Sequence, residues 1–218
     1  MEAWNKGIRV GQKKALKLED IWRIRIRLEL EERLEELALF NLAVDSKLRS
    51  CDLLNLKVRD VYRSGLVLSR ATVRQRKTRR EVQFEITPKT QQPLSQWIFI
   101  NQLQAADYLF PSHRRKGQHL SYHYYLTLVN NWVGKIGLDI NQYGTHSLRR
   151  TKASLIYAKT KNLRAIQLLL GHAKLESTIE YLGVEIEDAL KFAEESDFPL
   201  GSELYDDNYV QEDYPFLE

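Results

Sequence analysis

Apolar residues recur every three or four positions along most of this chain, while one central stretch alternates apolar and polar residues. The first spacing predicts amphipathic helices, and the alternation predicts strands with one buried face. The predicted fold class is α+β, mainly α, with a small antiparallel β-sheet. Strands are predicted at 66–68, 71–73 and 82–86, with a turn near 77–78. Helices are predicted over 18–45 with a break near 29–31, and over 49–56, 87–103, 122–136, 146–159, 162–170 and 175–182.

The two ends of the chain differ from this central region. Residues 1–17 are rich in lysine and arginine and poor in apolar residues, which predicts a mobile, basic N-terminal arm. Residues 184–195 carry an apolar stripe at helical spacing, and the chain beyond Ser196 is acidic with little periodicity. The predicted organisation is therefore the arm at 1–17, one folded domain at 18–184, and a C-terminal helix with an acidic tail at 185–218.

Charge is unevenly distributed over the 218 residues, whose formal net charge is +4. Residues 185–218 hold 12 of the 29 acidic residues and one of the 33 lysines and arginines, which leaves 32 basic and 17 acidic residues elsewhere. This is either an ordinary solvated basic surface or one that binds a polyanion with a salt-sensitive affinity. The single cysteine excludes an internal disulfide, and the N-terminus lacks an apolar leader. We therefore expect a cytoplasmic protein without a membrane partner.

Six residues spread along the chain form a candidate phosphoryl-transfer site. Two arginines can clamp a phosphate, two histidines can move protons near neutral pH, and a phenol can act as a nucleophile. His146 and Arg149 are three residues apart, so they share a face of a predicted helix whose N-terminus itself favours a phosphate. The six residues are Arg49, Lys77, His146, Arg149, His172 and Tyr181.

Each of these residues has an ordinary structural explanation when it is taken alone. A lone His-x-x-Arg is usually a structural histidine beside a surface arginine, and most of the 11 tyrosines are expected to be packing residues. The order and spacing distinguish the set. Gly144-Thr-His-Ser-Leu-Arg-Arg150 is followed by Leu168-Leu-Leu-Gly-His172 and then by Glu180-Tyr-Leu182.

This order and spacing resemble the tyrosine recombinase (phage integrase) family, in particular its short bacterial integrase-like forms. The resemblance covers roughly residues 18–184 and implies the family's catalytic-domain fold. It also implies cleavage and rejoining of DNA through a 3′-phosphotyrosine intermediate, without a metal or another cofactor. In that chemistry Tyr181 is the nucleophile, and Arg49 and Arg149 clamp the scissile phosphate.

The resemblance assigns the remaining roles to proton transfer and positioning. Lys77, on a hairpin, protonates the leaving 5′ oxygen, His146 accepts or positions the tyrosine proton, and His172 donates to a non-bridging oxygen. Asp52 is expected to hold the arginines in register at a place where the family usually has a glutamate. Lys47 stands where the family often has a glycine, which puts the local backbone geometry in question.

Double-stranded DNA is the expected partner. The resemblance further implies a homo-oligomer, a dimer or tetramer on DNA, with the helix at 184–195 packed either in a neighbouring protomer or in cis. Relatives usually carry an additional N-terminal domain that completes a clamp around DNA, so an accessory protein or a shortened interface is expected here. The predicted DNA-contacting residues are Arg74, Arg76, Arg79, Arg80, Arg114, Arg115, Lys116, Arg150 and Lys152.

Two other functions use the same sequence features. A non-catalytic DNA-binding regulator would keep the basic face and fail to cleave, although the complete set of six residues argues against it. A topoisomerase IB-like enzyme would cut and reseal one strand without exchanging partners. His119 and His123 are four residues apart, but no third ligand accompanies them, so no metal site is predicted.

Overall fold

The computed structural model describes residues 12–182 of the chain. The predicted C-terminal helix and acidic tail, and residues 1–11 of the predicted arm, lie outside the described residues. Within the described range the strands are β1 (Tyr62–Arg63), β2 (Leu66–Val67), β3 (Arg70–Arg74) and β4 (Glu81–Glu85). The helices are α1 (Leu18–Leu30), α2 (Leu34–Ser46), α3 (Ser50–Leu54), α4 (Val58–Val61), α5 (Pro88–Ile100), α6 (Tyr122–Lys135), α7 (Thr145–Thr160), α8 (Leu163–Leu170) and α9 (Glu176–Leu182).

The helix α2 forms the centre of the domain because it is buried on almost every side. Its residues from Glu36 to Ser46 are all buried, and it packs against α1, α5 and α7. The predicted apolar face of α1, which includes Ile21 and Ile24, joins the same core. The predicted break between the two helices is confirmed at residues 31–33, where Glu32 has a left-handed φ of 52°.

The strands form two separate antiparallel hairpins, β1–β2 and β3–β4. The small antiparallel sheet that the alternation predicts is thus divided into two pairs. In the longer pair Ala71 lies opposite Phe84, and both are buried together with Val82. Residues 75–80 form the loop that joins β3 to β4, so Lys77 lies at the predicted turn.

The C-terminal helices α7, α8 and α9 pack against one another around a second apolar cluster. Ala153, Ile166 and Leu170 are buried in this cluster, and Tyr181 packs against it. Helix α8 ends at Gly171, which has a left-handed φ of 66°. A Cβ atom at Gly171 would collide with Val82, so the end of α8 lies directly against β4.

Residues 12–17, which belong to the predicted arm, contact the folded domain, and the mobility of the arm stays a prediction. The side chain of Leu16 is buried, and its backbone N–H donates to the Thr151 hydroxyl at 3.0 Å. The backbone N–H of Lys14 donates to the Gln142 carbonyl at 2.9 Å. The lysine-rich composition concealed one apolar residue that fixes the segment on the domain.

Candidate active site

Arg149 is held rigidly in the first turns of α7. Only 3% of the residue is exposed. Its Nη1 donates to the backbone carbonyl of Lys47, and its Nη2 donates to that of Leu170 at 3.0 Å. Burial lowers the pKa of Arg149 to about 10, so the guanidinium remains charged at neutral pH. A fixed, desolvated positive charge is suited to a phosphate.

Arg49 precedes α3 and is oriented by an amide. Its Nη1 donates to the Oε1 of Gln75 at 2.6 Å. The Oδ1 of Asp52 accepts from the Arg76 backbone N–H at 2.8 Å, which fixes the hairpin backbone. Among the described residues, Asp52 forms no ion pair with Arg49 or Arg149, although its charge acts to raise the pKa of Arg149 against the effect of burial. That Asp52 holds the arginines in register stays a prediction.

The rings of His172 and Tyr181 pack in an edge-to-face arrangement at the C-terminal end of the domain. Their ring centroids are 5.4 Å apart, with an interplanar angle of 82°. The Nδ1 of His172 lies 3.1 Å from the hydroxyl of buried Thr178. Burial, followed by the charges of Arg149 and Arg49, lowers the pKa of His172 to about 4, so its imidazole is neutral at pH 7.

The hydroxyl of Tyr181 is buried, and no described residue meets it with full hydrogen-bond geometry, although the Arg149 guanidinium is close enough for a hydrogen-bond contribution that lowers the pKa of the phenol. The guanidinium carbons of Arg149 and Arg150 lie 5.8 and 5.5 Å from the centroid of its ring. Burial raises the pKa of Tyr181 to about 12, although both arginines act in the opposite direction. Desolvation therefore outweighs the arginines, and the phenol is protonated in the DNA-free domain.

His146 and Lys77 complete the set. His146 remains exposed on α7, yet partial desolvation lowers the pKa of its imidazole, and the charges of Arg149, Arg49 and Lys77 act in the same direction. Lys77 is exposed on the loop 75–80. The charges of Arg49 and Arg149 thus act on the pKa values of His146, His172 and Tyr181, and Lys77 also acts on that of His146. The structure therefore brings the six predicted residues together from five different segments of the chain.

The predicted DNA-contacting residues divide into two groups. The Lys152 ammonium is engaged in ion pairs inside the domain, where it lies 2.7 Å from Asp45 Oδ1 and 2.5 Å from Glu85 Oε1. Arg150 is also buried and donates to the Lys13 carbonyl at 2.8 Å. The other seven side chains are exposed on the loop 75–80, its flanking strand or the loop 112–118; they are Arg74, Arg76, Arg79, Arg80, Arg114, Arg115 and Lys116.

Four further residues support the site, and all except Lys47 carry no recognisable signal in the sequence. Gln75 contacts Arg49, Thr178 contacts His172, and the Lys47 carbonyl accepts from Arg149. The fourth residue, Gln12, donates to the Tyr181 carbonyl at 2.7 Å and to the preceding carbonyl at 3.0 Å. Sequence patterns could not reveal these contacts. Three of them join segments that only the tertiary fold brings together, and the contact of Thr178 with His172 depends on the bend that follows α8.

The described part of the chain contains neither a metal-binding cluster nor a membrane-spanning helix. No group of three or more His, Cys, Asp or Glu side chains in residues 12–182 could hold a metal ion. No helix in the same range is long and apolar enough to cross a bilayer.

The architecture is that of a tyrosine recombinase catalytic domain. The crystal structure of XerA recombinase matches with a TM-score of 0.69 at 20% sequence identity, over 85% of this chain and 65% of that one. XerH site-specific recombinase bound to a palindromic difH substrate matches with a TM-score of 0.67 at 23% identity, over 84% of this chain and 53% of that one. These matches establish the fold.

Sequence comparison identifies the family. The phage integrase family model matches residues 14–187. The probable integrase/recombinase YoeC of Bacillus subtilis is 26% identical over 155 residues, covering 71% of this chain and 80% of that protein. Tyrosine recombinase XerC of Thermodesulfovibrio yellowstonii is 28% identical over 175 residues, covering 76% of this chain and 55% of that protein. This chain belongs to the phage integrase family, as its motifs predict.

Proposed function

We propose that this chain is a site-specific DNA recombinase, or integrase, that cleaves and rejoins strands through a 3′-phosphotyrosine intermediate. The observation that carries the proposal is the buried phenol of Tyr181 beside the charges of Arg149 and Arg150 and the ring of His172. A tyrosine nucleophile needs cationic groups that stabilise its phenolate, and the two arginines supply them. The family supports the same chemistry.

Cleavage in this proposal is a transesterification. The Oη of Tyr181 forms a bond to the scissile phosphorus, and the bond from phosphorus to the 5′ oxygen breaks. His146 takes the phenol proton, and Lys77 gives a proton to the leaving 5′ oxygen. The products are a 3′-phosphotyrosine and a free 5′ hydroxyl. A 5′ hydroxyl from another strand then reverses the step and exchanges the strands.

The transition state is stabilised by groups that are fixed before DNA binds. Arg49 and Arg149 neutralise the charge on the non-bridging oxygens, which is where most of the acceleration arises. Neutral His172 acts as a donor. In the tautomer in which Nδ1 accepts from the Thr178 hydroxyl, Nε2–H is left to donate to a non-bridging oxygen.

Double-stranded DNA is the proposed substrate, and several copies of the chain act on it together as a dimer or tetramer. Exposed cations on the loops 75–80 and 112–118 supply phosphate contacts. The chain spans 55% of the XerC relative. An accessory protein is included in the proposed assembly beside the further copies of the chain.

A two-site plasmid tests this proposal. DNA from the protein's own genomic neighbourhood is cloned in two direct copies, incubated with the full chain, and analysed for deletion circles. Recombinant circles that depend on Tyr181 are the expected result. Relaxed plasmid without recombinants would indicate a topoisomerase instead, and salt-sensitive binding without either product would indicate a regulator.

A further inference from the structure

A buried amide beside the phosphate clamp contacts three parts of the site. Gln75 follows β3, and none of the residue is exposed. Its Oε1 accepts from Arg49 Nη1 at 2.6 Å and from the Thr78 hydroxyl at 2.7 Å. Its Nε2 donates to the Leu170 carbonyl at 3.0 Å. One side chain therefore joins an arginine of the clamp, the loop that carries Lys77, and the end of α8.

The Leu170 carbonyl connects this amide to the second arginine. Arg149 Nη2 also donates to that oxygen, at 3.0 Å, and a backbone carbonyl can accept two hydrogen bonds. Arg49 and Arg149 are thus linked through Gln75 and one shared carbonyl. Because the four residues of this linkage are buried or half-buried, the linkage fixes the relative orientation of the two guanidinium groups.

An amide has an electrostatic advantage over a carboxylate at this position. Within residues 12–182, neither Arg49 nor Arg149 forms an ion pair. A carboxylate partner would orient a guanidinium but also neutralise it, whereas a neutral acceptor orients it and leaves its charge for a phosphate.

We propose that Gln75 is a positioning residue that holds Arg49 in register with Arg149 and, through Thr78, holds the loop that carries Lys77. This inference rests on the proposed recombinase function. Gln75 touches no reacting atom in the proposal; it acts through the arginine. A loss of Gln75 should therefore reduce the help that Arg49 gives to a charged phosphate, without reducing the affinity for DNA.

The test compares Gln75→Met with wild type in single-turnover cleavage. Met matches Gln in length but lacks its hydrogen-bonding groups, and Gln83→Met, at an exposed position on β4, is the matched control. The probes are a duplex bearing the cleavage site mapped by Tyr181 trapping, and the same duplex with a methylphosphonate at the scissile position. The methylphosphonate lacks one negative charge, so it needs less help from an arginine.

Gln75→Met should cleave the phosphodiester about 10- to 100-fold more slowly than wild type, since one oriented donor in such a site contributes on the order of 100-fold. On the methylphosphonate the difference should shrink, while DNA affinity stays unchanged on both probes. If Gln75→Met is unfolded, Gln75→Glu takes its place, and the same pattern is expected because a carboxylate neutralises Arg49.

Two outcomes would overturn the inference. Wild-type rates in the variant, or equal slowing on both probes, would show that Gln75 does not act through the charge of Arg49. Failure of the proposed function is distinguishable, because wild type would then form no covalent product on the phosphodiester.

Discussion

The guanidinium of Arg149 donates a hydrogen bond to the backbone carbonyl of Lys47, a residue whose own φ is 55°. This left-handed conformation costs a non-glycine residue about 1–2 kcal/mol. The buried Lys47 ammonium bonds both oxygens of Glu85, at 3.0 and 2.9 Å, and the Asp45 carbonyl at 2.6 Å. These contacts hold the bend in place and aim the Lys47 carbonyl at Arg149.

Replacing Arg149 should abolish chemistry while leaving most of the DNA binding. We expect Arg149→Ala to lower the single-turnover cleavage rate by at least about 100-fold. Arg149→Lys should be impaired as well, because one ammonium cannot reproduce the bonds to the Lys47 and Leu170 carbonyls. Affinity for the same duplex should change little, and Arg164→Ala, at an exposed position on α8, serves as the control. Near-normal cleavage by Arg149→Ala would refute its role.

The two groups of predicted DNA contacts should differ in salt dependence. Arg76→Ala removes an exposed cation, so the slope of log affinity against log salt should decrease by about 1. Lys152→Met removes a cation that is already paired with Asp45 and Glu85, so its slope should equal that of wild type. Fluorescence anisotropy across a salt series measures both values. A reduced slope for Lys152→Met would show that this lysine contacts DNA after all.

The contact between the end of α8 and β4 should make Gly171 intolerant of a side chain. Gly171→Ala combines a left-handed backbone with a collision against Val82, and we expect a loss of about 2–5 kcal/mol in unfolding free energy. Gly137→Ala is the matched control, because its φ is 81° but its Cβ would meet no atom within 4 Å. That variant should lose only about 1–2 kcal/mol in urea unfolding. Equal losses would mean that the packing against Val82 contributes nothing.

His172 should make the stability of the domain depend on pH below neutrality. Burial, then Arg149 and Arg49, lowers the pKa of its imidazole from 6.5 to about 4. Between these values the unfolded chain binds a proton that the folded domain does not, so the stabilisation is complete above pH 6.5 and is lost as the pH falls through about 4.

Urea unfolding at neutral and mildly acidic pH checks this dependence. His172→Gln should lose less stability on acidification than wild type, because the glutamine side chain does not titrate in this pH range. His123→Gln, at an exposed position on α6, should follow wild type. An unchanged pH dependence in His172→Gln would contradict the assignment.

The sequence predicts the helices well because helical periodicity is a local property. The predicted break between α1 and α2, the turn at Lys77 and the helix end at Gly171 all agree with the structure. The division of the strands into two pairs depends on long-range packing and was not predictable. The same is true of Leu16, whose burial is decided by contacts with α7 far along the chain.

The candidate site shows the same division between local and long-range information. Motif spacing selected Tyr181 from 11 tyrosines and His146 with Arg149 from a basic chain. It did not predict that Gln75 would contact Arg49, because an isolated glutamine has no pattern. It also could not predict that burial raises the pKa of Tyr181 more than the nearby arginines lower it, because burial depends on the tertiary fold.

Covalent trapping tests the central claim most directly. Wild type and Tyr181→Phe are incubated with DNA from the protein's own genomic neighbourhood, denatured with detergent, and analysed for protein-linked DNA. The account predicts an adduct with wild type and none with Tyr181→Phe, with the protein joined to the 3′ end of the cut strand. An adduct that persists in Tyr181→Phe, or no adduct from wild type that binds the same DNA, would contradict it.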